Sequence, residues 1–338
     1  MQVTIKDVAK MAGVAPSTVS RVIADSPKIS DATKKIVEKA MKELNYQPNI
    51  IARSLANRKT YTLGLILPSN TEEIFENPFF IQAMRGLSKY AQQKGYYIMY
   101  NYCHSIEDEL KTAETFIRSK WVDGIILLTS RIEDPCVHYL MENKHQVVVI
   151  GRPEDYKDKA LWVDNDNVRA MYEVVCSLIR DGHKKIAFFG GEQQFTVNRH
   201  RLRGYKNALE DNGLIYDENL VFENEPTEIK AFKSMELLLK TQTPDAIVGT
   251  DDTVAYGAFN AALAHHIKDI AAVGFNNTPM AMYKTPSLST VDINAELLGS
   301  EAARLLISRI ENEELDSNYS IVESDYIERS STLDSRRV

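Results

Sequence analysis

Short, continuous runs of apolar residues alternate with amphipathic segments over most of this 338-residue chain, and this alternation most restricts its fold. The strands predicted from these runs are residues 63–67, 96–100, 124–128, 147–150, 185–189, 219–222, 246–249 and 270–275. The helical segments among them are residues 79–94, 107–118, 168–180, 199–211, 229–240 and 253–265. This pattern is typical of parallel strands covered by helices on both faces. We therefore predict two doubly wound α/β units with a cleft between them.

The N-terminal region has a different pattern, in which a turn separates two short amphipathic segments, TIKDVAKMAGVAPSTVSRVI. Thr4 and Asp7 form a variant of the capping box at the start of the first segment, Gly13 ends it, and Pro16 begins the second. The apolar residues of both segments recur at helical spacing. Two helices joined this tightly predict a helix-turn-helix.

A third helix is predicted to follow, with Ser30 as its N-cap. Its apolar residues recur on one face, which predicts a buried stripe. The stripe contains Ile36, Val37, Ala40, Met41 and Leu44. The three helices together predict a small all-α domain.

The exposed residues of the second helix suit contact with DNA. They are Pro16, Ser17, Thr18, Ser20 and Arg21. An arginine can pair with guanine in the major groove, and hydroxyl groups can reach bases or phosphates. Residues 1–59 contain 11 Lys and Arg against 5 Asp and Glu, although the whole chain has a net charge of −7, so the basic part is local. The alternative is an ordinary surface helix of a globular domain.

The combination of VSRVI, the turn ELNYQPN and ARSL closely resembles the LacI/GalR family of transcription regulators. The resemblance implies that residues 49–57 form a hinge helix and that Leu55 wedges into the minor groove, where an apolar side chain can unstack a base step. The alternative is that Leu55 packs on its own domain. The predicted DNA-contacting residues are Thr4, Pro16, Ser17, Thr18, Ser20, Arg21, Asn49, Arg53 and Leu55.

The rest of the chain resembles the periplasmic-binding-protein-like (type I) core that this family carries. The resemblance implies that the chain crosses between the two subdomains near Trp162, Ser289 and Val322, and that residues 297–310 form a helix returned to the first subdomain. The predicted domains are residues 1–48 for the helix-turn-helix, 49–60 for the hinge and linker, 61–161 with about 290–322 for the first subdomain, and 162–289 with about 323–338 for the second.

The predicted ligand site lies beyond the carboxyl ends of the strands, where open α/β sheets bind ligands. Hydrogen-bonding residues follow the apolar runs there, and nearby aromatic rings suit stacking on a sugar. The family resemblance adds Arg201 as the effector-contacting arginine, and Asn276 where the family's VGxDD-type element has an acidic residue. The predicted effector-binding residues are Ser69, Phe79, Phe80, Ser130, Arg152, Trp162, Arg201, Asp251 and Asn276.

Several of these positions have alternatives. Arg201 could tie a strand to a helix by pairing with a carboxylate, and Asp251 could simply cap the helix that follows it. Of Phe79 and Phe80, one ring is expected in the core and the other at the cleft, and the sequence does not distinguish them. The amide of Asn276 can donate and accept, so it is compatible with a sugar contact.

Catalysis is not expected, because the sequence contains no GxSxG, HExxH or P-loop motif and no paired-cysteine metal site. Cys103, Cys136 and Cys176 are scattered, which favours a reducing cytoplasm over a disulfide framework. The pattern of a signal peptide is lacking, and the apolar runs are too short to span a membrane. This disfavours a transport-linked sugar receptor, which would share the α/β body. No cofactor or metal is expected.

These features together predict a repressor that binds operator DNA as a homodimer and responds to a small sugar. Within the family, NPFF at residues 77–80 and GFNN at 274–277 most resemble the maltose-operon repressors of Gram-positive bacteria, which implies maltose or a related α-glucoside. The alternative is a catabolite-control-type regulator with a phosphorylated carrier protein as co-repressor. The C-terminal tail lacks leucine heptads, so a dimer is predicted rather than a coiled-coil tetramer.

Overall fold

The computed structural model describes residues 3–23, 26, 28–46, 59–68, 77–223 and 227–333. The chain divides into two compact units, Met1–Tyr61 and Thr62–Val338. Four predicted site residues lie outside the described residues, namely Asn49, Arg53, Leu55 and Ser69. The predictions for these positions, and for the hinge helix, therefore stay predictions.

The described part of the first unit contains α1 (Ile5–Ala12), α2 (Pro16–Ile23) and α3 (Asp31–Glu43). Thr4 donates from its backbone nitrogen and its hydroxyl to the Asp7 carboxylate, at 2.9 and 2.7 Å, and begins α1 as predicted. Gly13 ends α1 with a left-handed φ of 64°. Ser30 Oγ accepts a hydrogen bond from the Thr33 nitrogen at 3.4 Å and caps α3. The helices pack around Val8, Ala9, Val19, Val22, Val37 and Ala40.

The predicted buried stripe of α3 is wrong at one position, because Ile36 is 53% exposed. Val37 and Ala40 are buried, and Met41 and Leu44 are partly buried against the same core. These four residues recur at intervals of three and four and so share one face of the helix. Ile36 stands about 100° before Val37 around the helix axis and points outward.

Strands and helices alternate along the second unit as predicted. The strands are β1 (Thr62–Leu67), β2 (Tyr97–Tyr102), β3 (Gly124–Leu127), β4 (Val147–Ile150), β5 (Leu161–Asp164), β6 (Ile186–Gly190), β7 (Val221–Glu223), β8 (Ala246–Gly249), β9 (Ala271–Phe275), β10 (Ser289–Asp292), β11 (Tyr319–Ile321) and β12 (Asp325–Ile327). The helices are α4 (Pro78–Gln93), α5 (Ile106–Arg118), α6 (Pro135–Glu142), α7 (Asn167–Arg180), α8 (Thr196–Asp211), α9 (Glu228–Leu238), α10 (Asp252–Ala264), α11 (Pro279–Tyr283), α12 (Ala295–Glu311) and α13 (Ser330–Leu333). None of the helices in the described ranges is long and apolar enough to cross a membrane.

The strands form two six-stranded sheets. The first sheet has the order β11-β5-β4-β3-β1-β2, and all its pairs are parallel. The second has the order β12-β10-β9-β8-β6-β7, and only the pair of β12 with β10 is antiparallel. The predicted fold class, a helix-turn-helix domain followed by two doubly wound parallel-sheet subdomains, is confirmed.

The chain leaves the first sheet after β5, returns to it after β10, and leaves it again after β11. Helix α12 packs against α4, β4 and β5 of the first sheet, as predicted. Because β5 and β10 are each complete before their crossing, Trp162 belongs to the first sheet and Ser289 to the second. The crossings therefore follow Asp164, Asp292 and Ile321, and the first two lie a few residues beyond the positions that the sequence indicates.

A close contact with α4 holds α12 on the first sheet. A Cβ atom on Gly86 would lie 1.8 Å from the Glu296 carbonyl oxygen, and one on Gly299 would lie 1.9 Å from the Ala83 carbonyl oxygen. No larger residue fits at either position unless the two helices separate. The contact keeps the start of α12, including Leu298, beside the cleft.

Candidate functional site

A cavity of about 700 Å³ lies at the carboxyl ends of the strands of both sheets. Its wall contains residues that end or closely follow β1 to β5 of the first sheet and β6, β8 and β9 of the second. Open α/β sheets bind ligands at this position, and small-molecule sites typically measure about 300–1,000 Å³. The part of the chain that the structure describes contains no group of three or more His, Cys, Asp or Glu that could hold a metal ion.

Arg201, on α8, is at the centre of the polar part of the wall, which we name the floor. Its Nε donates to Asn167 Oδ1 at 2.9 Å, and its Nη1 donates to the Thr250 carbonyl oxygen. Its guanidinium carbon lies 4.1 Å from the centroid of the Phe275 ring. Arg201 thus ties α8 to the start of α7 and the end of β8 while its side chain also lines the cavity. Its partners are an amide oxygen and a backbone carbonyl oxygen, so the carboxylate pairing considered as an alternative is not what holds Arg201. Its contact with an effector stays a prediction.

Asp164 and Asn165 form the floor of the cavity at the first crossing of the chain. Asn165 Nδ2 donates to the carbonyl oxygens of Ile293 and Val322, at 3.0 and 2.8 Å, and so joins the three crossing segments. Asp164 Oδ1 accepts from the Asn165 nitrogen and from Asn167 Nδ2, at 2.8 Å each. The connection between the two subdomains and the floor of the cavity are therefore one hydrogen-bonded unit.

Asp251 is the second carboxylate of the floor. It caps α10, because its Oδ1 accepts from the Val254 nitrogen at 2.8 Å, and it also lines the cavity. Burial raises the pKa of both Asp164 and Asp251 to about 6, against the opposing effects of their hydrogen bonds and of Arg201. Burial likewise lowers the pKa of Arg201 to about 10. All three groups are thus less well solvated in this cavity than in water.

Asn276 follows β9 with a left-handed φ of 95°, and it lines the cavity. Its backbone nitrogen donates to the Val291 carbonyl oxygen at 2.9 Å, whereas its side-chain amide bonds to none of the described residues. The next residue, Asn277, donates from Nδ2 to Asp292 Oδ2 at 2.9 Å and accepts from Arg329 Nη2 at 2.6 Å. Of these two asparagines, Asn276 therefore has the amide that is available to a ligand.

Aromatic side chains from the first subdomain form another part of the wall. Asn77 caps α4 by accepting a hydrogen bond from the Phe79 nitrogen at 3.0 Å. The rings of Phe79 and Phe80 pack edge to face, with centroids 5.1 Å apart, and both line the cavity. The expectation that one ring lies in the core is not met, because both residues are half-buried and both line the cavity. Tyr102 and His104 add a second edge-to-face pair, with centroids 4.9 Å apart.

Ser130, which follows β3, is the least satisfied polar group of the wall. It is 5% exposed, and its hydroxyl has no hydrogen-bond partner among the described residues. Its carbonyl oxygen accepts from the Thr196 nitrogen at 3.0 Å. A buried hydroxyl without a partner costs about 1–3 kcal/mol. A ligand hydroxyl at this position would remove that cost.

The structure does not bring two of the predicted effector-binding residues, Trp162 and Arg152, into the described wall of the cavity. Trp162 lies inside β5 rather than after a strand, and its Nε1 donates to the Lys157 carbonyl oxygen at 2.9 Å. Its ring stacks on Tyr319 with centroids 4.7 Å apart. The Arg152 guanidinium lies 5.6 Å from the centroid of the Trp162 ring, and its backbone nitrogen donates to Asp164 at 3.0 Å.

Other residues line the cavity although the sequence analysis did not select them. Asn165 and Asn167 follow β5, so the rule of strand ends would have found them if that short strand had been recognised. Tyr102 ends β2 and follows the same rule. Phe195 and Thr196 begin α8, away from the end of β6, and the sequence carries no signal for them.

The described first unit presents the residues of α2 that were assigned to DNA. Pro16, Ser17, Ser20 and Arg21 are exposed, and Thr18 is half-buried. The two valines of the helix are buried in the opposite direction, against α1 and α3. The helix therefore has one face in the core and one polar face that is free to enter a groove.

Comparison with known proteins assigns the chain to a family. A profile described as "Bacterial regulatory proteins, lacI family" matches residues 4–49, and a "Periplasmic binding protein-like domain" matches residues 175–332. The HTH-type transcriptional regulator MalR of Streptococcus pneumoniae serotype 4 is 38% identical over 315 residues, which cover 92% of this chain and 93% of that protein. The chain belongs to the lacI family of bacterial regulatory proteins.

Two further similar proteins of the same size bear on this lacI-family regulator. Catabolite control protein A of Priestia megaterium is 32% identical, and the match covers 94% of this chain and 96% of that one. The solved structure of a transcriptional regulator CelR–cellobiose complex is 31% identical with a TM-score of 0.76, and the match covers 98% of this chain and all of that one. With its exposed α2 face and its cavity, this lacI-family chain is a sugar-responsive, DNA-binding transcriptional repressor.

Proposed function

We propose that this lacI-family regulator represses genes for the use of maltose or maltodextrin, and that maltose or a related α-glucoside binds in the cavity. The observation that carries the proposal is a wall that combines unsatisfied hydrogen-bonding groups with aromatic rings. The similarity to MalR supports this class of sugar.

The chemistry of the wall suits a sugar because a sugar has both hydroxyl groups and apolar ring faces. Arg201 can only donate and Asp251 in its ionised form can only accept, while the Asn276 amide and the Ser130 hydroxyl do both. Together they can satisfy hydroxyl groups that need a donor and an acceptor each. Phe79 and the ring beside it offer apolar surface to the faces of the sugar.

We place DNA recognition on the polar face of α2. Arg21 and Ser17 are the leading base contacts, because a guanidinium pairs with guanine O6 and N7 and a hydroxyl reaches neighbouring bases. To Thr4 and the remaining exposed residues of α2 we assign contacts to phosphates, which fix the register of a protein on the duplex. The hinge prediction adds Asn49, Arg53 and Leu55 at the centre of the operator.

We propose a homodimer that forms through the second unit. Large apolar side chains are exposed on the edge strand β2 and on α11, and Tyr97, Tyr100 and Tyr283 are 60, 59 and 80% exposed. Soluble monomers rarely expose clusters of this kind, whereas a two-fold axis would bury the same patch on both copies. The other members of the two clusters are Met99, Met280 and Met282.

Sugar and DNA are coupled in this proposal through the cleft. A sugar that bonds to residues of both sheets favours the closed cleft, and closure moves the first sheet, which follows the linker to the DNA-binding unit. Such coupling between two sites is typically worth about 1–3 kcal/mol. Operator affinity is therefore expected to fall about 5- to 150-fold when the cavity is filled.

The test begins with selection of the preferred duplex from a random-sequence library, which supplies the operator. Operator affinity is then measured while maltose, maltotriose, cellobiose or glucose is added. We expect maltose or maltotriose to weaken binding, with cellobiose and glucose as matched negative controls. An operator affinity that is the same with and without all four sugars would contradict the proposed effector.

The similarity to catabolite control protein A favours one second candidate, a regulator that binds DNA more tightly with a phosphorylated carrier protein. The two candidates predict opposite changes in operator affinity when their ligand is added. Under the second, adding the phosphorylated carrier protein raises operator affinity, the unphosphorylated carrier protein does not, and maltose alone has no effect.

A further inference from the structure

Two short segments from different subdomains pair with each other across the cleft, and we name this pairing the strap. Two backbone hydrogen bonds of 3.0 Å form it, one from the Ile132 nitrogen to the Gln194 carbonyl oxygen and one from the Thr196 nitrogen to the Ser130 carbonyl oxygen. The first segment follows β3 of the first sheet, and the second leads into α8 of the second subdomain. The strap consists of residues 130–132 and 194–196.

Arg131 and Phe195 face each other between these two hydrogen bonds as an antiparallel bridge. They form the kind of pair that is not itself hydrogen-bonded, in which the side chains approach most closely. The Arg131 guanidinium carbon lies 5.3 Å from the centroid of the Phe195 ring. A cation at this distance over an aromatic face is attracted to it.

Two carboxylates of the first subdomain, those of Glu109 and Asp134, interact with the Arg131 guanidinium. Arg131 Nη2 donates to Glu109 Oε1 at 2.9 Å, and Arg131 Nη1 donates to Glu109 Oε2. Arg131 Nη1 also lies 3.8 Å from Asp134 Oδ2. Arg131 and Glu109 are 5 and 3% exposed. Burial acts to lower the pKa of Arg131, but the hydrogen bond and charge of Glu109 and the charge of Asp134 outweigh it and raise that pKa. The Arg131 guanidinium is therefore fixed by carboxylates of its own subdomain and contacts Phe195 of the other.

The strap determines where several groups of the wall stand. The Ser130 carbonyl oxygen accepts a hydrogen bond within the strap, and the buried serine hydroxyl has no partner among the described residues. Phe195 and Thr196 also line the cavity, and Thr196 begins the helix that carries Arg201. Arg131 is itself absent from the described wall. Its effect on a ligand must pass through Ser130 and Phe195.

We propose that Arg131 is a positioning residue of the sugar site: by holding the strap it closes the cleft and places Ser130 and Phe195, which both line the cavity, against the ligand. The proposal rests on the proposed function, because it takes the ligand to be a sugar. The strap is separate from the three crossings of the chain, so it can break while the chain stays connected. We expect a sugar to leave the cavity faster when the strap is open.

The first experiment removes the cation and its carboxylate together in the full-length chain, as Glu109→Gln with Arg131→Met. This double variant leaves no unpaired buried charge from that pair and keeps similar volumes. Maltose binding is expected to weaken about tenfold, the equivalent of about 1.4 kcal/mol, with most of the change in faster dissociation. Arg131→Lys keeps the charge and is expected to recover part of the lost affinity.

The matched control is Glu301→Gln with Arg304→Met on α12. That pair is also joined by side-chain hydrogen bonds, of 2.8 to 3.0 Å, and neither residue is in the described wall of the cavity. Its maltose affinity is expected to equal that of the wild type. Equal losses of affinity in the two double variants would overturn the proposal.

The second experiment fixes the strap with a disulfide, as Arg131→Cys and Phe195→Cys in a Glu109→Gln background. The Cα atoms of such an antiparallel pair stand about 4.5 Å apart, within the range of roughly 4.4–6.8 Å that a disulfide spans. Oxidation with diamide is expected to slow both association and dissociation of maltose at least tenfold, and dithiothreitol is expected to restore both rates. Wild-type protein treated with diamide controls for Cys103, Cys136 and Cys176.

The outcomes separate the strap from the proposed effector. A wild type that binds no maltose contradicts the effector, and the strap is then tested by X-ray scattering without sugar. In that case Glu109→Gln with Arg131→Met should have a larger radius of gyration than Glu301→Gln with Arg304→Met. Three results would overturn the proposed role of the strap. They are an unchanged radius of gyration, a disulfide that does not form in the folded chain, and a disulfide that leaves the rates of maltose binding and release unchanged.

Discussion

The face of α2 and the floor of the cavity are both polar, but the protein holds them in opposite ways. Arg21 and Ser17 on α2 are exposed, and their side chains bond to none of the described residues. Arg201 in the floor is 4% exposed and is fixed by Asn167 and Thr250. A surface that reads a duplex needs side chains that are free until the duplex arrives, whereas a small ligand is bound best by groups that are already in place.

The difference has an energetic consequence. The buried valines of α2 hold this helix in the core of the first unit. The polar residues on its exposed face can therefore change without loss of the helix. In the floor, burial disfavours the charged forms of Arg201, Asp164 and Asp251, so the ligand site carries a cost in the empty protein. A sugar that replaces lost water contacts reduces that cost, and the cavity is therefore expected to gain stability from its ligand.

The largest effect is expected from Arg201→Met, which removes the centre of the cavity floor. Maltose affinity should fall at least about 100-fold, since hydrogen bonds to a charged group are worth roughly 1.5–3 kcal/mol each. Calorimetric titration measures the affinity. Arg203→Met, an exposed position on the same helix, is the matched control and should bind maltose as the wild type does. Undiminished binding by a folded Arg201→Met protein would show that the sugar binds elsewhere.

Arg21→Ala tests the opposite region. Loss of a bidentate pair with guanine should weaken operator binding by about 1–3 kcal/mol, or about 5- to 150-fold, and relax the preference at one base pair. The free energy of unfolding of the first unit should change by no more than about 0.5 kcal/mol, because the side chain is exposed. The control is Lys39→Ala on α3, whose side chain is 78% exposed and lies 3.8 Å from Glu43. A large loss of helix in Arg21→Ala would contradict the independence of fold and function on α2.

The same contrast explains how far the sequence predicts this molecule. Alternating runs and helical spacing were enough for both units because these patterns are local. Ser130, Asp251 and Asn276 follow strands, and so the rule of strand ends was enough to select them. Arg201 needed the family resemblance, because nothing in its own helix distinguishes it from its arginine neighbours. The strap was beyond prediction, since its hydrogen bonds join segments more than sixty residues apart that belong to no strand.

The prediction for Asp251→Asn concerns pH. Because the pKa of Asp251 is raised from 3.8 to about 6 on folding, the stability that this group contributes is present below about pH 4 and is lost as the pH rises through about 6. Asparagine caps helices as well as aspartate and carries no charge. The variant should therefore be more stable than the wild type by about 2–3 kcal/mol at pH 7.5, and the difference should shrink towards pH 4.

Urea unfolding followed by tryptophan fluorescence measures this difference, since Trp121 and Trp162 both lie in the second unit. Asp166→Asn is the matched control, because Asp166 caps helix α7 from an exposed position, at 3.0 Å from the Arg169 nitrogen. A stability difference for Asp251→Asn that does not vary between pH 4.5 and 7.5 would contradict the assignment of the raised pKa to this carboxyl group.

The smallest effect on the ligand is expected from Trp162→Phe, and it tests which features define the wall. Trp162 has an aromatic ring, as several residues of the cavity wall do. It lies inside β5, however, where it is 5% exposed and packed between Tyr319 and Arg152. Its replacement removes the hydrogen bond to Lys157 and part of the stacked surface, which should lower the free energy of unfolding by about 1 kcal/mol. Maltose affinity should stay within about twofold of the wild type, because hot-spot losses of more than about 1 kcal/mol belong to groups in contact with the ligand. Phe79→Leu, in the first turn of α4 and in the wall of the cavity, should weaken maltose binding more while it changes stability less. If Trp162→Phe weakened maltose binding more than Phe79→Leu, Trp162 would contact the sugar in the bound protein. Lying beyond the end of a strand would then not determine which aromatic rings contact the ligand.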